Sequence, residues 1–99
     1  MPVRPGYDLL RLKNLGPQSV AWLVEAGIET RAELERAGAV LAYKIVQHRR
    51  PGVNVLLLYA LHGALAGEHW ASLSPATKAR LKAEAAAPLE VRPGNSDGG

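Results

Sequence analysis

The sequence predicts an all-α protein, a compact bundle of five to six short helices. Alanine and leucine dominate its 99 residues, β-branched residues are few and scattered, and phenylalanine and cysteine are absent. Alanine and leucine favour helices, whereas strands are enriched in β-branched and aromatic residues. Serine, threonine, proline and glycine also recur where apolar segments begin or end, which is the pattern of short capped helices.

The first two predicted helices flank a short turn. Residues 7–13 form the first, with Leu9 and Leu12 on one side. Residues 17–26 form the second, which begins with Pro17. Proline suits the first helical position because its missing N–H group would have no partner there.

The second helix has a clear buried face and a clear end. Val20, Leu23, Val24 and Gly27 follow the spacing of one helical stripe. Gly27 suits the left-handed residue that terminates a helix, and Ile28 is then expected to contact Leu23 in a Schellman motif.

The third and fourth predicted helices follow directly. Thr30 is expected to cap the N–H group of Glu33 while the Glu33 side chain returns to Thr30, which is the capping-box arrangement. The third helix ends at Gly38, and the fourth covers about 39–49 before Pro51 stops it.

The fifth predicted helix begins at Asn54 or Val55 and ends near Gly67. It carries no Asp, Glu, Lys or Arg, and a helix that is apolar nearly all round normally forms the buried centre of a bundle. The sixth begins at Ser74-Pro75, a cap followed by proline, and continues to about residue 87.

These elements predict one domain over 7–87, preceded by a flexible lead-in, 1–6, and followed by a disordered tail, 88–99. The N-terminus has no apolar signal core, and the longest apolar run, Val55–Leu61, is too short to span a bilayer. Because the chain also lacks cysteine, we expect a cytoplasmic protein.

The composition gives no support for catalysis. Twelve Lys/Arg against nine Asp/Glu give a net charge of +3, which permits a nucleic-acid partner without requiring one. Nucleophile-elbow, phosphate-loop and zinc-protease motifs are absent. His62 and His69 lie seven residues apart, roughly 10 Å along a helix, too far to share one metal. We therefore expect a non-enzymatic protein without a metal or cofactor.

The turn Asn14-Leu15-Gly16-Pro17 is the strongest candidate binding feature. It resembles the turn of the helix-hairpin-helix motif, in which free N–H groups at the start of the second helix face a DNA phosphate. Asn14 stands where the first glycine is usual, and asparagine tolerates left-handed angles. Gln18 stands where a lysine is common, Ser19 can donate a hydrogen bond, and Lys13 supplies a cation. Two interpretations stay open: a purely structural turn, or a phosphate site formed by Lys13, Asn14, Gly16, Gln18 and Ser19.

The two tryptophans are the candidates for a protein-interaction surface. Trp22 lies away from the buried stripe of its helix, and Trp70 follows the apolar fifth helix. Tryptophan is a favoured interface anchor. In a chain without phenylalanine, however, both are also natural core residues. Trp22 therefore stands as an interaction-surface hypothesis.

Three stretches of the sequence are similar to a known family. They are Leu12–Pro17 with Ser19, Trp22, Leu23 and 26–28; 38–40 with Ala42 and Tyr43; and 54–61, 63–65, 69–70 and 73–75. Together they resemble the C-terminal domain of the TfoX/Sxy proteins, bacterial regulators of natural competence, over about residues 9–85. The resemblance implies an all-helical domain akin to helix-hairpin-helix or SAM-like folds, with no catalytic motif.

The family also implies candidate partners. Its full-length members carry a separate N-terminal domain and act with a transcription activator at competence promoters, whereas this chain is expected to be a stand-alone domain. Two functional hypotheses follow. The first is a regulatory domain with weak nucleic-acid binding to the DNA phosphate backbone. The second is a module for protein interaction, with a transcription regulator, another protein or a second copy as partner.

Overall fold

The computed structural model describes residues 6–87, and this part of the chain is entirely helical. Its α-helices are α1 (Pro17–Glu25), α2 (Arg31–Arg49), α3 (Leu56–Ala66) and α4 (Pro75–Ala86), with short 3-10 helices at Leu9–Arg11 and Trp70–Ser72. The all-α prediction is confirmed, whereas the count of five to six helices is not, since residues 6–87 hold four.

The predicted first helix is shorter than expected. Only Leu9–Arg11 is helical, as a single 3-10 turn, and Leu12 is already extended at φ −79°, ψ 144°. Asn14 then adopts a left-handed φ of 76°, so the chain turns before another helical turn can form. The buried Leu9 still anchors this segment to the core.

The boundaries of α1 match the sequence prediction closely. Pro17 occupies the first helical position after Gly16. At the other end Gly27 has a φ of +91°. Its N–H donates to the Val24 oxygen at 3.0 Å, and the Ile28 N–H donates to the Leu23 oxygen at 2.8 Å. This is the predicted Schellman motif.

The predicted third and fourth helices are the two halves of α2. They meet at Gly38, whose φ of 82° and ψ of 161° are not helical, so the break was predicted correctly. The Thr30 hydroxyl accepts the Glu33 N–H at 3.1 Å. The Glu33 carboxylate accepts the N–H of Glu29 at 2.7 Å, and not that of Thr30 as a regular capping box requires.

Helix α3 lies at the centre of the bundle, as its apolar sequence predicted. It packs against α2, α4 and the second 3-10 helix. Six of its eleven residues are buried: Leu57, Leu58, Ala60, Leu61, Gly63 and Ala64. Helix α4 is capped by Ser74, whose hydroxyl accepts the Thr77 N–H at 3.1 Å, and it buries Leu81 against this core.

The last residue of the predicted lead-in is packed against the rest of the fold. Gly6 is buried and donates its N–H to the Glu29 oxygen at 2.9 Å. The rest of the predicted lead-in, 1–5, and the predicted disordered tail, 88–99, lie outside the described residues.

Candidate functional site

The turn before α1 is held in place by the side chain of Asn14. Its Nδ2 donates to the backbone oxygen of Glu68 at 2.8 Å and to that of Ala60 at 3.3 Å. Its Oδ1 accepts the Trp70 N–H at 3.1 Å. Both ends of the amide are therefore used within the fold, so Asn14 positions the turn and has no side-chain group left for a phosphate.

Gly63 makes room for this arrangement. A Cβ atom built on Gly63 would lie 2.5 Å from the Glu68 oxygen and 2.6 Å from Asn14 Nδ2. A side chain at position 63 would therefore displace the asparagine that ties the turn to the end of α3. This contact could not be predicted from the sequence, because positions 14 and 63 are distant along the chain.

The start of α1 presents free backbone donors. The N–H groups of Gly16, Gln18 and Ser19 donate to no acceptor within residues 6–87. In contrast, the starts of α2 and α4 are capped by the side chains of Thr30 and Ser74. A helix start combines such donors with about half a positive charge, which is the requirement for holding an anion.

Three cations lie near this turn. Arg11, Lys13 and Arg31 line one groove of about 550 Å³ together with the C-terminal end of α3. All three side chains are exposed. Arg31 is partly neutralised because its Nε lies 2.7 Å from a Glu35 carboxylate oxygen. Lys13 thus has two positive neighbours in this groove, Arg11 and Arg31.

A cleft between α1, α3 and the second 3-10 helix brings together residues that the sequence analysis treated separately. We call it the tryptophan cleft. It measures about 260 Å³, and its lining residues are Asn14, Ser19, Trp22, Asn54, Leu56, Leu57, Ala60 and Trp70. Asn14 and Ser19 were predicted at a phosphate site and Trp22 at an interaction surface. The structure places all three around one opening.

The two tryptophans contribute differently to this cleft. Trp22 is half-buried against the core, and its Nε1 is buried without an acceptor among the described residues. An unpaired buried donor costs roughly 1–3 kcal/mol. Trp70 is held by two neighbouring side chains. The His69 ring stacks on it with 5.9 Å between the ring centroids, and the Lys78 ammonium lies 5.5 Å from the Trp70 ring centroid.

Metal-ligand clusters and membrane-spanning helices are both absent from residues 6–87. This part of the chain contains no group of three or more His, Asp or Glu side chains that could hold a metal ion. None of its helices has the length and apolar character needed to cross a membrane.

The fold and the site define a small helical bundle in which a tight turn leads into a helix without a side-chain cap. Sequence comparison identifies its family. The model of the TfoX C-terminal domain matches residues 6–85, so the chain belongs to the TfoX C-terminal domain family, as its resemblance implied.

Solved structures agree with this assignment. An uncharacterized protein from Listeria monocytogenes, crystallised in a triclinic form, is 36% identical with a TM-score of 0.72. The match covers 75% of this chain and 84% of that one. A tetragonal crystal form of a Listeria monocytogenes protein of unknown function gives 35% identity and a TM-score of 0.72, covering 76% and 93%. No curated protein matches the chain.

Proposed function

We propose that this chain is a non-catalytic, cytoplasmic regulatory domain that contacts nucleic-acid phosphates weakly through the start of α1. One observation carries the proposal: the N–H groups of Gly16, Gln18 and Ser19 have no acceptor within residues 6–87. In this proposal the turn and its flanking elements act as a helix-hairpin-helix-like unit, with a 3-10 turn in place of the first helix. Membership of the TfoX family suggests that this regulation concerns transcription in natural competence, with a transcription regulator as the partner.

Two further features support phosphate binding. Asn14 fixes the turn through three hydrogen bonds, so the backbone donors are ordered before a ligand arrives. Lys13 and Arg11 add positive charge on the adjacent groove. Binding is expected to be weak and independent of sequence, because phosphate contacts carry no base information and Gln18 brings no charge.

Fluorescence anisotropy with a labelled oligonucleotide at low and moderate salt tests this proposal. Gln18→Lys should strengthen binding and steepen its salt dependence by about one unit of log K against log salt, because it adds one cation at the phosphate. Gln18→Glu should weaken binding, because its carboxylate would face the phosphate.

The matched control is Lys82→Gln, which lowers the net charge by one, as Gln18→Glu does. Lys82 is exposed on α4 and lines none of the clefts described above. If Lys82→Gln weakens binding as much as Gln18→Glu, the interaction depends on net charge and the start of α1 is not the site. Absence of binding even at low salt contradicts the proposal.

A protein-interaction function has a separate observation in its favour. Tyr7 and Leu10 are 51% and 45% exposed, and both line a largely apolar groove of about 610 Å³ against α1. Exposed apolar grooves are typical of surfaces that bind other proteins. A second copy of the chain is one candidate partner, and a transcription regulator or another protein is the alternative.

Sedimentation velocity at micromolar concentration tests the first of these partners. If two copies associate through this groove, the wild type should sediment as a dimer and Leu10→Ser as a monomer. A monomeric wild type would contradict self-association.

A further inference from the structure

The tryptophan cleft opens beside the proposed phosphate site. Ser19 belongs to both, since its N–H group is one of the free donors at the start of α1 and its side chain lines the cleft. A nucleotide carries a phosphate and a flat aromatic base a few bonds apart. A ligand with its phosphate at the start of α1 would therefore have a base within reach of the cleft.

We propose that the tryptophan cleft receives one unpaired nucleobase and that the domain consequently prefers single-stranded over double-stranded nucleic acid. This inference rests on the proposed function, because the phosphate at the start of α1 is what brings the base to the cleft.

The size and walls of the cleft suit a single base. Its volume of about 260 Å³ is below the range of roughly 300–1,000 Å³ usual for sites that enclose a drug-sized ligand. It therefore admits a ring-sized group. Trp22 and Trp70 provide aromatic walls, and Leu56, which is 44% exposed, adds an apolar edge. Stacking on aromatic side chains is how proteins hold unpaired bases without sequence preference.

Trp70 is ordered in advance of binding. Its backbone N–H is held by Asn14 Oδ1 at 3.1 Å, and the His69 ring and the Lys78 ammonium also contact its ring. The same asparagine thus fixes both the turn that presents the phosphate donors and one wall of the cleft. Lys78 also places a positive charge beside the opening, which favours a ligand with a phosphate backbone over an uncharged one.

Polar groups at the cleft can contact the edge of a base. Asn54 Oδ1 accepts the Leu56 N–H at 2.9 Å, but the Asn54 NH2 group has no acceptor within residues 6–87. The Ser19 hydroxyl likewise has no hydrogen-bond partner in that part of the chain. These groups can donate to a base carbonyl or ring nitrogen.

Double-stranded nucleic acid does not fit this arrangement. In a duplex the faces of the bases are stacked and their edges are paired, so a base enters a cleft only if it is flipped out at a cost. A single strand has its bases available for stacking on protein aromatic groups.

The test compares three probes of the same length binding to the full chain at low salt. They are a 12-nucleotide oligothymidine, a 12-unit abasic deoxyribose-phosphate strand, and a 12-base-pair duplex. We expect the oligothymidine to bind roughly tenfold more tightly than the other two, which corresponds to one stacked base. Trp22 and Trp70 are the only tryptophans of the chain and both line the cleft. Tryptophan emission should therefore change with oligothymidine alone.

The matched variants are Trp70→Leu and Tyr7→Leu. Trp70→Leu should reduce oligothymidine affinity to that of the abasic strand while abasic binding stays unchanged. Tyr7→Leu removes an exposed aromatic residue outside the cleft and should leave all three affinities unchanged. The wild-type comparison decides the proposal even if Trp70→Leu does not fold.

The two proposals fail in distinguishable ways. If none of the three probes binds, both are wrong. If all three bind equally and tryptophan emission does not change, phosphate binding stands and the cleft does not receive a base, which leaves it as a site for a protein segment.

Discussion

Replacing Asn14 tests the central contact of the fold. The Asn14 side chain makes three hydrogen bonds, to residues 46, 54 and 56 positions further along the chain. Its backbone has a left-handed φ of 76°. Asn14→Ala removes all three hydrogen bonds and places a residue with a Cβ atom and no polar group in a left-handed conformation.

The expected loss of unfolding free energy for Asn14→Ala is about 3 kcal/mol. The hydrogen bonds at 2.8 and 3.1 Å and the longer one at 3.3 Å together contribute about 2 kcal/mol at ordinary net values. The left-handed conformation of alanine adds about 1 kcal/mol. Small domains are stable by only about 5–15 kcal/mol, so this loss is a large share of the total. The melting temperature should fall by roughly 12–24 °C, at about 4–8 °C per kcal/mol for a domain of this size.

Urea and thermal unfolding followed by circular dichroism measure this effect. Asn14→Gly is the matched control, because it loses the same hydrogen bonds but adopts positive φ without strain. It should be less destabilised than Asn14→Ala by up to about 1 kcal/mol. If Asn14→Ala lies within about 0.5 kcal/mol of wild type, the value for an unimportant surface change, then these hydrogen bonds do not hold the turn and the reasoning is wrong.

Three further predictions concern stability. Gly63→Ala should destabilise the domain, because the new Cβ would approach Asn14 Nδ2 to 2.6 Å. Elsewhere in a helix interior Gly→Ala normally stabilises by about 1 kcal/mol, so a variant that is more stable than wild type in urea unfolding would refute the contact. Arg50 lowers the pKa of Glu25 through a side-chain hydrogen bond. That pair therefore stabilises the fold above the unfolded-state pKa of glutamate, and its contribution is lost as pH falls through the lower folded-state pKa. Arg50→Gln should accordingly show a smaller loss of stability on acidification than wild type in melting curves at pH 2–7, and parallel curves would contradict this. Leu23→Ala should cost about 2–5 kcal/mol in urea unfolding, since this side chain is 0% exposed, and a cost below about 1 kcal/mol would show that the site collapses around the change.

Helix boundaries were predictable where their causes are local in sequence. The Schellman motif at Gly27, the cap at Ser74 and the break at Gly38 each depend on residue types within a few positions. A glycine that needs positive φ and a hydroxyl that caps a helix leave the same signature in any context. The buried position of α3 was predictable because a helix that is apolar nearly all round, and too short to span a bilayer, normally lies in the core.

The first helix was not predictable for the opposite reason. The apolar spacing of Leu9 and Leu12 is helical, yet Leu12 is extended and the chain turns left-handed at Asn14. Tertiary hydrogen bonds from Asn14 to the end of α3 select the turn over further helix. Such long-range bonds override the weak local preference of a short segment.

The candidate site was only partly predictable. Sequence reasoning identified the turn and Trp22, but it had no means of placing Trp70, Asn54 and Leu56 beside them. Those residues meet at the cleft only in the packed bundle, because they come from α3, the residue before its N-cap and the second 3-10 helix. A contact between two residues more than 40 positions apart leaves no periodic signal in a single sequence.

The residues of the turn divide into two sets with different roles, and this division explains its unusual composition. The Asn14 side chain points into the fold and determines the shape of the turn. Gly16, Gln18 and Ser19 contribute backbone N–H groups that have no acceptor within residues 6–87, and these groups exist whatever the side chains are. A helix start can therefore retain its anion-binding geometry while the side chain at position 18 changes. Each cation at a phosphate contributes about one unit to the salt dependence of binding. Under the proposed function, glutamine at position 18 therefore binds a phosphate less strongly than lysine would. Under the proposed function, the compensation for that missing charge is the base held in the tryptophan cleft, whose contribution does not depend on salt.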